Sequence, residues 1–125
     1  MINILLVGLG GFLGSVSRYL LGDLVHNILD KPAFPYGTFI VNVFGCLLIG
    51  ILGGLSESKN FFDTQTRMFL FIGLLGGFTT FSSFGLETFN LVKQGAHFHA
   101  LSNVFLQIIL GLIAVSLGYI LAKNI

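Results

Sequence analysis

Charged side chains are so sparse along this chain that the gaps between them outline its elements. None occurs in the 25 positions between Lys31 and Glu57, in the 19 between Arg67 and Glu87, or in the 23 from Ala100 through Ala122. The amino end carries none up to Arg18, and apolar sequence resumes after it with Tyr19-Leu20-Leu21-Gly22. A helix crosses hydrocarbon with about 20 mainly apolar residues. Four spans therefore fit, over about 2–22, 37–55, 68–91 and 100–122, and a fifth does not. The pattern predicts an all-α membrane protein, a single four-helix transmembrane domain over residues 1–125.

Composition removes the soluble alternative. Only 9% of the 125 residues are charged, too little polar surface to cover a water-soluble domain. The amino end lacks a positive leader and runs through glycines into an arginine, so it reads as a span rather than a cleavable signal. Cys46 is the sole cysteine; it excludes an internal disulfide and reads as a structural residue within a helix. Tyr19, Tyr36 and Tyr119 fall near span ends, where amphipathic rings sit at the headgroups.

Cationic loop residues normally set orientation. Here Lys59, Arg67 and Lys123 share one side, against Lys31, Lys93 and, if it reaches out of the first span, Arg18. With so even a balance, a single orientation and insertion both ways are equally compatible with the counts. Opposed copies could then meet as an antiparallel pair. Gly10 and Gly14, Gly50 and Gly54, and Gly73 and Gly77 form small-xxx-small pairs that let helices approach closely. Such pairs can simply cement one bundle. Four short helices can hardly enclose a polar path and bury every such face as well, and a dimer is the more economical expectation.

Ionisable residues inside spans are costly and become functional candidates by default. Arg18 and Glu87 qualify, each near a span end, where snorkelling to the headgroups is the plainer reading. Asn42 and Gln107 place amides within the second and fourth spans; each either bonds across helices or donates into a polar path. Thr38 either joins them or begins its helix.

The segment GLLGGFTTFSSFGLE, residues 73–87, departs furthest from an ordinary span. Gly76-Gly77 weakens the helix by about 1 kcal/mol per glycine, and a mid-span break is tolerated only where protein, water or an ion satisfies the freed carbonyls. Thr79, Thr80, Ser82 and Ser83 could do so, or could bond back to the preceding turn. In helical form Phe78, Phe81 and Phe84 make one drifting aromatic stripe. Lipid-facing rings, packing glycines and back-bonded hydroxyls each suffice alone. Together they fit poorly, because a lipid-facing stripe needs neither the break nor the hydroxyls. Ring edges are positive, as are hydroxyl and amide hydrogens, and no carboxylate ring awaits a cation. The path these residues suggest suits a small anion.

At these residues the chain resembles the Fluc (CrcB) family of fluoride channels. The likeness runs through GGFLGSVSRYLLG, PYGTFIVNVFGC, GGFTTFSSFGLE and GLIAVSLG, one motif in each span. The resemblance implies an antiparallel (dual-topology) homodimer, or a pair of non-identical subunits, in the cell membrane. Two pores would pass fluoride passively out of the cell and confer fluoride resistance. It implies that ring edges of Phe81 and Phe84 line the pore, that Asn42 carries fluoride and orients the rings, and that Thr38, Ser82 and Ser83 form a hydroxyl track. Arg18 would be the vestibule arginine and Glu87 the acid following the aromatic motif. The carbonyls of Gly76 and Thr79, from both subunits, would hold a structural sodium ion. In the fourth span the family often carries two small polar residues one turn apart. Here the positions are Gln107, which can donate, and Gly111, which cannot.

Other classes fit less well. A proton-coupled exporter of cations needs a carboxylate deep in the membrane, and the first span offers only Arg18. A subunit without transport of its own leaves residues 76–84 unexplained. A membrane enzyme would rest on His97 and His99, which the span limits put in the loop ahead of the fourth helix, without a carboxylate pair, and which read as solvated.

Overall fold

The computed structural model describes residues 1–125 and is helical throughout. Four helical spans are long and apolar enough to cross a membrane: α1 (Ile2–Ile28), α2 (Tyr36–Lys59), a third span (Thr64–Lys93) and α6 (His97–Lys123). The third span is composite. It comprises α3 (Thr64–Arg67), a π-helical stretch (Met68–Leu75), one turn α4 (Gly76–Phe78) and α5 (Phe81–Lys93).

The helices continue beyond their charge-free runs because their backbone bonds are satisfied internally and persist into the headgroup layer. The extension of α1 past Gly22 carries Asp23 and Asn27, whose side chains bond one turn apart at 3.2 Å. It stops where Asp30 and Lys31 take left-handed conformations (φ 58° and 51°) ahead of Pro32. Asn60 ends α2 in the same region (φ 52°). Asp63 caps α3 by accepting the Thr66 N–H at 2.8 Å. After α5, Gly95 at φ 77° permits paired closing bonds, Ala96 N–H to the Leu91 carbonyl and Gly95 N–H to the Val92 carbonyl.

Close approach of backbones organises the bundle. A Cβ at Gly10 would lie 2.8 Å from the Leu74 nitrogen, and one at Gly77 would lie 2.6 Å from the Gly11 carbonyl oxygen, so α1 and the third span touch backbone to backbone. Gly50 and Gly54 face Val115, Tyr119 and Ala122 of α6, while Gly118 faces the Leu47 carbonyl of α2. All three small-residue pairs are thus consumed within one chain. The expectation that these faces help to join a second copy is corrected here: packing α1 on the third span and α2 on α6 leaves none of them free. Long apolar side chains, among them Leu9, Phe12, Leu112 and Leu117, point outward around the bundle. That is the polarity lipid requires.

Candidate functional site

The third span is interrupted, but two residues beyond the glycine pair. Gly76 and Gly77 are helical, while Thr79 (φ −86°, ψ 158°) and Thr80 (φ −150°, ψ 117°) are extended. Gly77 is held in the helix by its contact with Gly11. The two threonines divide the work that the hydroxyls suggested. Thr79 Oγ1 bonds back to the Leu75 carbonyl at 2.9 Å. Thr80 becomes the N-cap of α5, its Oγ1 accepting the Ser83 N–H at 3.1 Å. The bend also breaks up the aromatic stripe. Phe78 is buried edge-on against Phe44, Phe81 is 83% exposed, and Phe84 is half-buried.

Asn42 supplies the protein's answer to the freed backbone. Its Oδ1 accepts the Thr80 N–H at 2.9 Å, and its Nδ2 donates to the Thr80 carbonyl at 3.0 Å. Since a backbone N–H only donates, the amide must turn its oxygen there and its nitrogen toward acceptors. The second Nδ2 hydrogen goes to Gln107 Oε1 at 2.8 Å. Gln107 Nε2 donates to Asn103 Oδ1 at 2.8 Å, and Asn103 Nδ2 to Thr88 Oγ1 at 2.9 Å. The Thr88 hydroxyl then donates to the Phe84 carbonyl at 2.7 Å. Asn42 and Gln107 therefore direct these donors at protein acceptors in this conformation. Asn103, fully buried, and Thr88 were not singled out in the sequence. The four-residue spacing of Asn103 and Gln107, which puts both on one face of α6, was the available signal.

The carbonyls of residues 76–79 lose their helical donors at the interruption. In an unbroken helix the Gly76 oxygen would receive the Thr80 N–H and the Thr79 oxygen the Ser83 N–H. Both donors go elsewhere, to Asn42 and to Thr80 Oγ1. Gly76 is exposed on the face of a crevice of about 380 Å³. Its lining includes Asn42, Cys46, Gly76, Thr79, Thr80, Phe81, Phe84 and Gln107, and it holds no ionisable acid. Phe81 and Phe84 sit here with ring centroids 5.6 Å apart, tilted by 40°. Gly111 lies behind this crevice, where a Cβ would meet Cys46 Sγ at 3.4 Å.

Thr38 and Glu87 belong to a second crevice, of about 400 Å³, at the end where α2 begins and α5 finishes. The Thr38 hydroxyl donates to Glu87 Oε1 at 2.7 Å. Glu87 Oε2 is buried without a protein partner, and a polar space of this size has room for a bridging water. His26, Asn90 and Gln94 line the same space. Ser82 is exposed, 3.4 Å from the Thr80 hydroxyl, and Ser83 is half-buried in the first turn of α5. Arg18 is half-buried on α1 and lines neither crevice. The residues expected to form one track are thus gathered into two groups, with Arg18 apart.

Comparison with known proteins covers nearly the whole chain. A family model described as CrcB-like protein, Camphor Resistance (CrcB), matches residues 5–119. A protein of Methylobacillus flagellatus called fluoride-specific ion channel FluC is 44% identical over 123 residues, 98% of this chain and 96% of that protein. One of the same name from Parabacteroides distasonis is 47% identical over 125 residues, 100% of this chain and 96% of that protein. Another, from Ruminiclostridium cellulolyticum, is 46% identical over 125 residues, covering 100% and 95%.

Proposed function

The chain belongs to the CrcB-like family, and from that premise we propose that it is a fluoride-selective channel giving passive efflux through two pores of an antiparallel dimer. It is a multi-pass membrane protein of a channel family, not an enzyme. The observation that carries the reading is the Phe81–Phe84 pair set over the interruption of the third span, beside a crevice without an acid. Ring edges are the positive part of a phenyl group. A small anion stripped of water gains there, while a cation finds no counter-charge.

Thr38 and Glu87 form one mouth, and Arg18 on the first helix raises the local anion concentration by its charge. Ser82, Ser83 and the ring edges offer positive hydrogen atoms along the third span. Gln107 commits one Nε2 hydrogen to Asn103 and keeps its second beside the ring crevice, whereas Gly111 has no side chain to donate. The fourth helix's share of the path is then the one remaining amide hydrogen of Gln107. With no nucleotide-binding loop and no acid in the ring crevice, flow down the fluoride gradient is the simplest mechanism.

The residues present fit a sodium ion. The Gly76 and Thr79 carbonyls have lost their helical donors, and such oxygens require protein, water or an ion. When bound, the ion supplies fixed positive charge to those oxygens and is structural rather than cargo. A second copy inserted the opposite way would cover the open side of the crevice, where Gly76, Phe81 and Ile108 are exposed. The near-even cation balance of the two faces supports that insertion.

Proteoliposomes loaded with potassium fluoride and opened to potassium by valinomycin test the selectivity. Fluoride release, read by electrode, should be rapid and chloride release far slower. Equal rates for the two anions would contradict the reading.

A further inference from the structure

We infer that Asn103 and Thr88 are positioning residues for the ring pair. They close a one-way hydrogen-bond circuit that fixes the amide of Asn42 at the helix interruption. The circuit leaves the third span at Thr80, passes through Asn42 on α2 and then Gln107 and Asn103 on α6, and returns through Thr88 to the Phe84 carbonyl. Its two ends bracket the first turn of α5, the turn that carries Phe81 and Phe84. Neither Asn103 nor Thr88 lines the ring crevice, so each acts through its neighbours.

The direction of the circuit is what makes the distant pair matter. A primary amide has nearly the same shape after a half-turn, so packing alone does not choose its orientation. Turned the wrong way, Asn42 would set NH2 against the Thr80 N–H and oxygen against the Thr80 carbonyl. The Thr80 N–H and carbonyl set which way the Asn42 amide faces. Gln107 and Asn103 keep the orientation that matches it only if the last of them meets a group that accepts. The Thr88 hydroxyl has given its proton to Phe84, and so presents a lone pair to Asn103 Nδ2. Asn103 is 0% exposed and has no solvent with which to replace that acceptor. Removing either residue frees Gln107 to turn over and offer a donor to the donor of Asn42.

The structural part of this inference stands on the hydrogen bonds; its consequence for fluoride rests on the channel reading. The test is amide hydrogen exchange at Thr80, followed by NMR on the full chain in micelles, with fluoride efflux measured in parallel. Thr88→Val keeps the shape of the side chain and removes the hydroxyl, and Asn103→Leu removes the amide. In each, the Thr80 amide should exchange about tenfold faster, the equivalent of one net hydrogen bond. Amides buried between α1 and the third span should keep their rates, which a general loosening of the bundle would not allow. Thr88→Ser should restore the Thr80 rate, and fluoride efflux should fall in the Val and Leu variants.

An unchanged Thr80 rate in folded Thr88→Val overturns the inference, and the Thr88 pair decides the matter even if Asn103→Leu fails to fold. A Thr80 response in a protein whose wild type passes chloride as fast as fluoride upholds the circuit and removes the channel reading. A fluoride-selective wild type whose Thr80 amide ignores both substitutions does the reverse.

Discussion

A primary amide can replace both halves of a lost backbone pair, because it carries a donor and an acceptor on one carbon. Asn42 uses it in that way at Thr80, and the two bonds let an extended dipeptide interrupt a membrane helix. Asn42→Leu leaves the Thr80 N–H and carbonyl without those partners, at about 1–3 kcal/mol for each orphaned group. Thermal unfolding in detergent should record the loss, and a variant as stable as wild type would remove the clamp from the account. The sequence marks Asn42 as unusual, because an amide in hydrocarbon needs a partner. It does not name the partner, which lies 38 positions along the chain. Asn103 escapes notice for a different reason: it stands close to the start of α6, where polar residues ordinarily meet water. Only the return of α5 beside it, with Thr88 at bonding distance, turns that position into the interior.

The third span shows at the scale of an element how tertiary packing overrides local propensity. Its weakest helical pair, Gly76-Gly77, remains helical, and Gly77 does so while touching the backbone of α1. Thr79 and Thr80, better placed to bond their own backbone, take the break. Long charge-free runs mark the spans without ambiguity. The site of the interruption depends instead on which glycines a neighbouring helix needs, and one strand of sequence does not carry that information. Those glycines make a direct prediction. A methyl group at Gly50 would collide with the Val115 backbone, and one at Gly118 with that of Leu47. Gly50→Ala and Gly118→Ala should each destabilise the α2–α6 contact by about 1–3 kcal/mol, measured by thermal unfolding in detergent.

The start of the third span adds a dependence on pH. Thr66, through its side chain and its backbone N–H, holds the Asp63 carboxyl below the ordinary Asp value. A depressed folded-state pKa stabilises above the unfolded value, and that contribution is lost as pH falls through the folded one. The Thr66 amide should therefore lose protection from hydrogen exchange in acid, and Asp63→Asn should lessen that change. Protection that is level across the acid range in the wild type would contradict the cap.

At the scale of the whole molecule, one chain is a closed bundle at its helix contacts and an open one at its site. The small residues are spent holding α1 to the third span and α2 to α6, while the ring crevice stays uncovered on one side. The site then depends on what lies across that opening. If sodium held by carbonyls of two copies closes it, exchanging sodium for a large organic cation should lower the thermal midpoint of the solubilised protein. At a hundredfold excess over its dissociation constant a native-state ligand is worth about 2.7 kcal/mol. An unchanged midpoint would detach the ion from the assembly.

The family and the four spans are legible from sequence motifs and charge spacing. What the ring pair faces is a matter of three dimensions, because it follows from the bend at Thr79–Thr80. That bend leaves Phe81 open beside the crevice while Phe78 is buried behind it. Fluoride efflux from proteoliposomes bearing Phe81→Ile or Phe84→Ile tests this arrangement most directly, because isoleucine keeps the bulk and removes the ring edge. The account predicts that both variants keep their fold while fluoride flow falls steeply. Flow at the wild-type rate in both would contradict it.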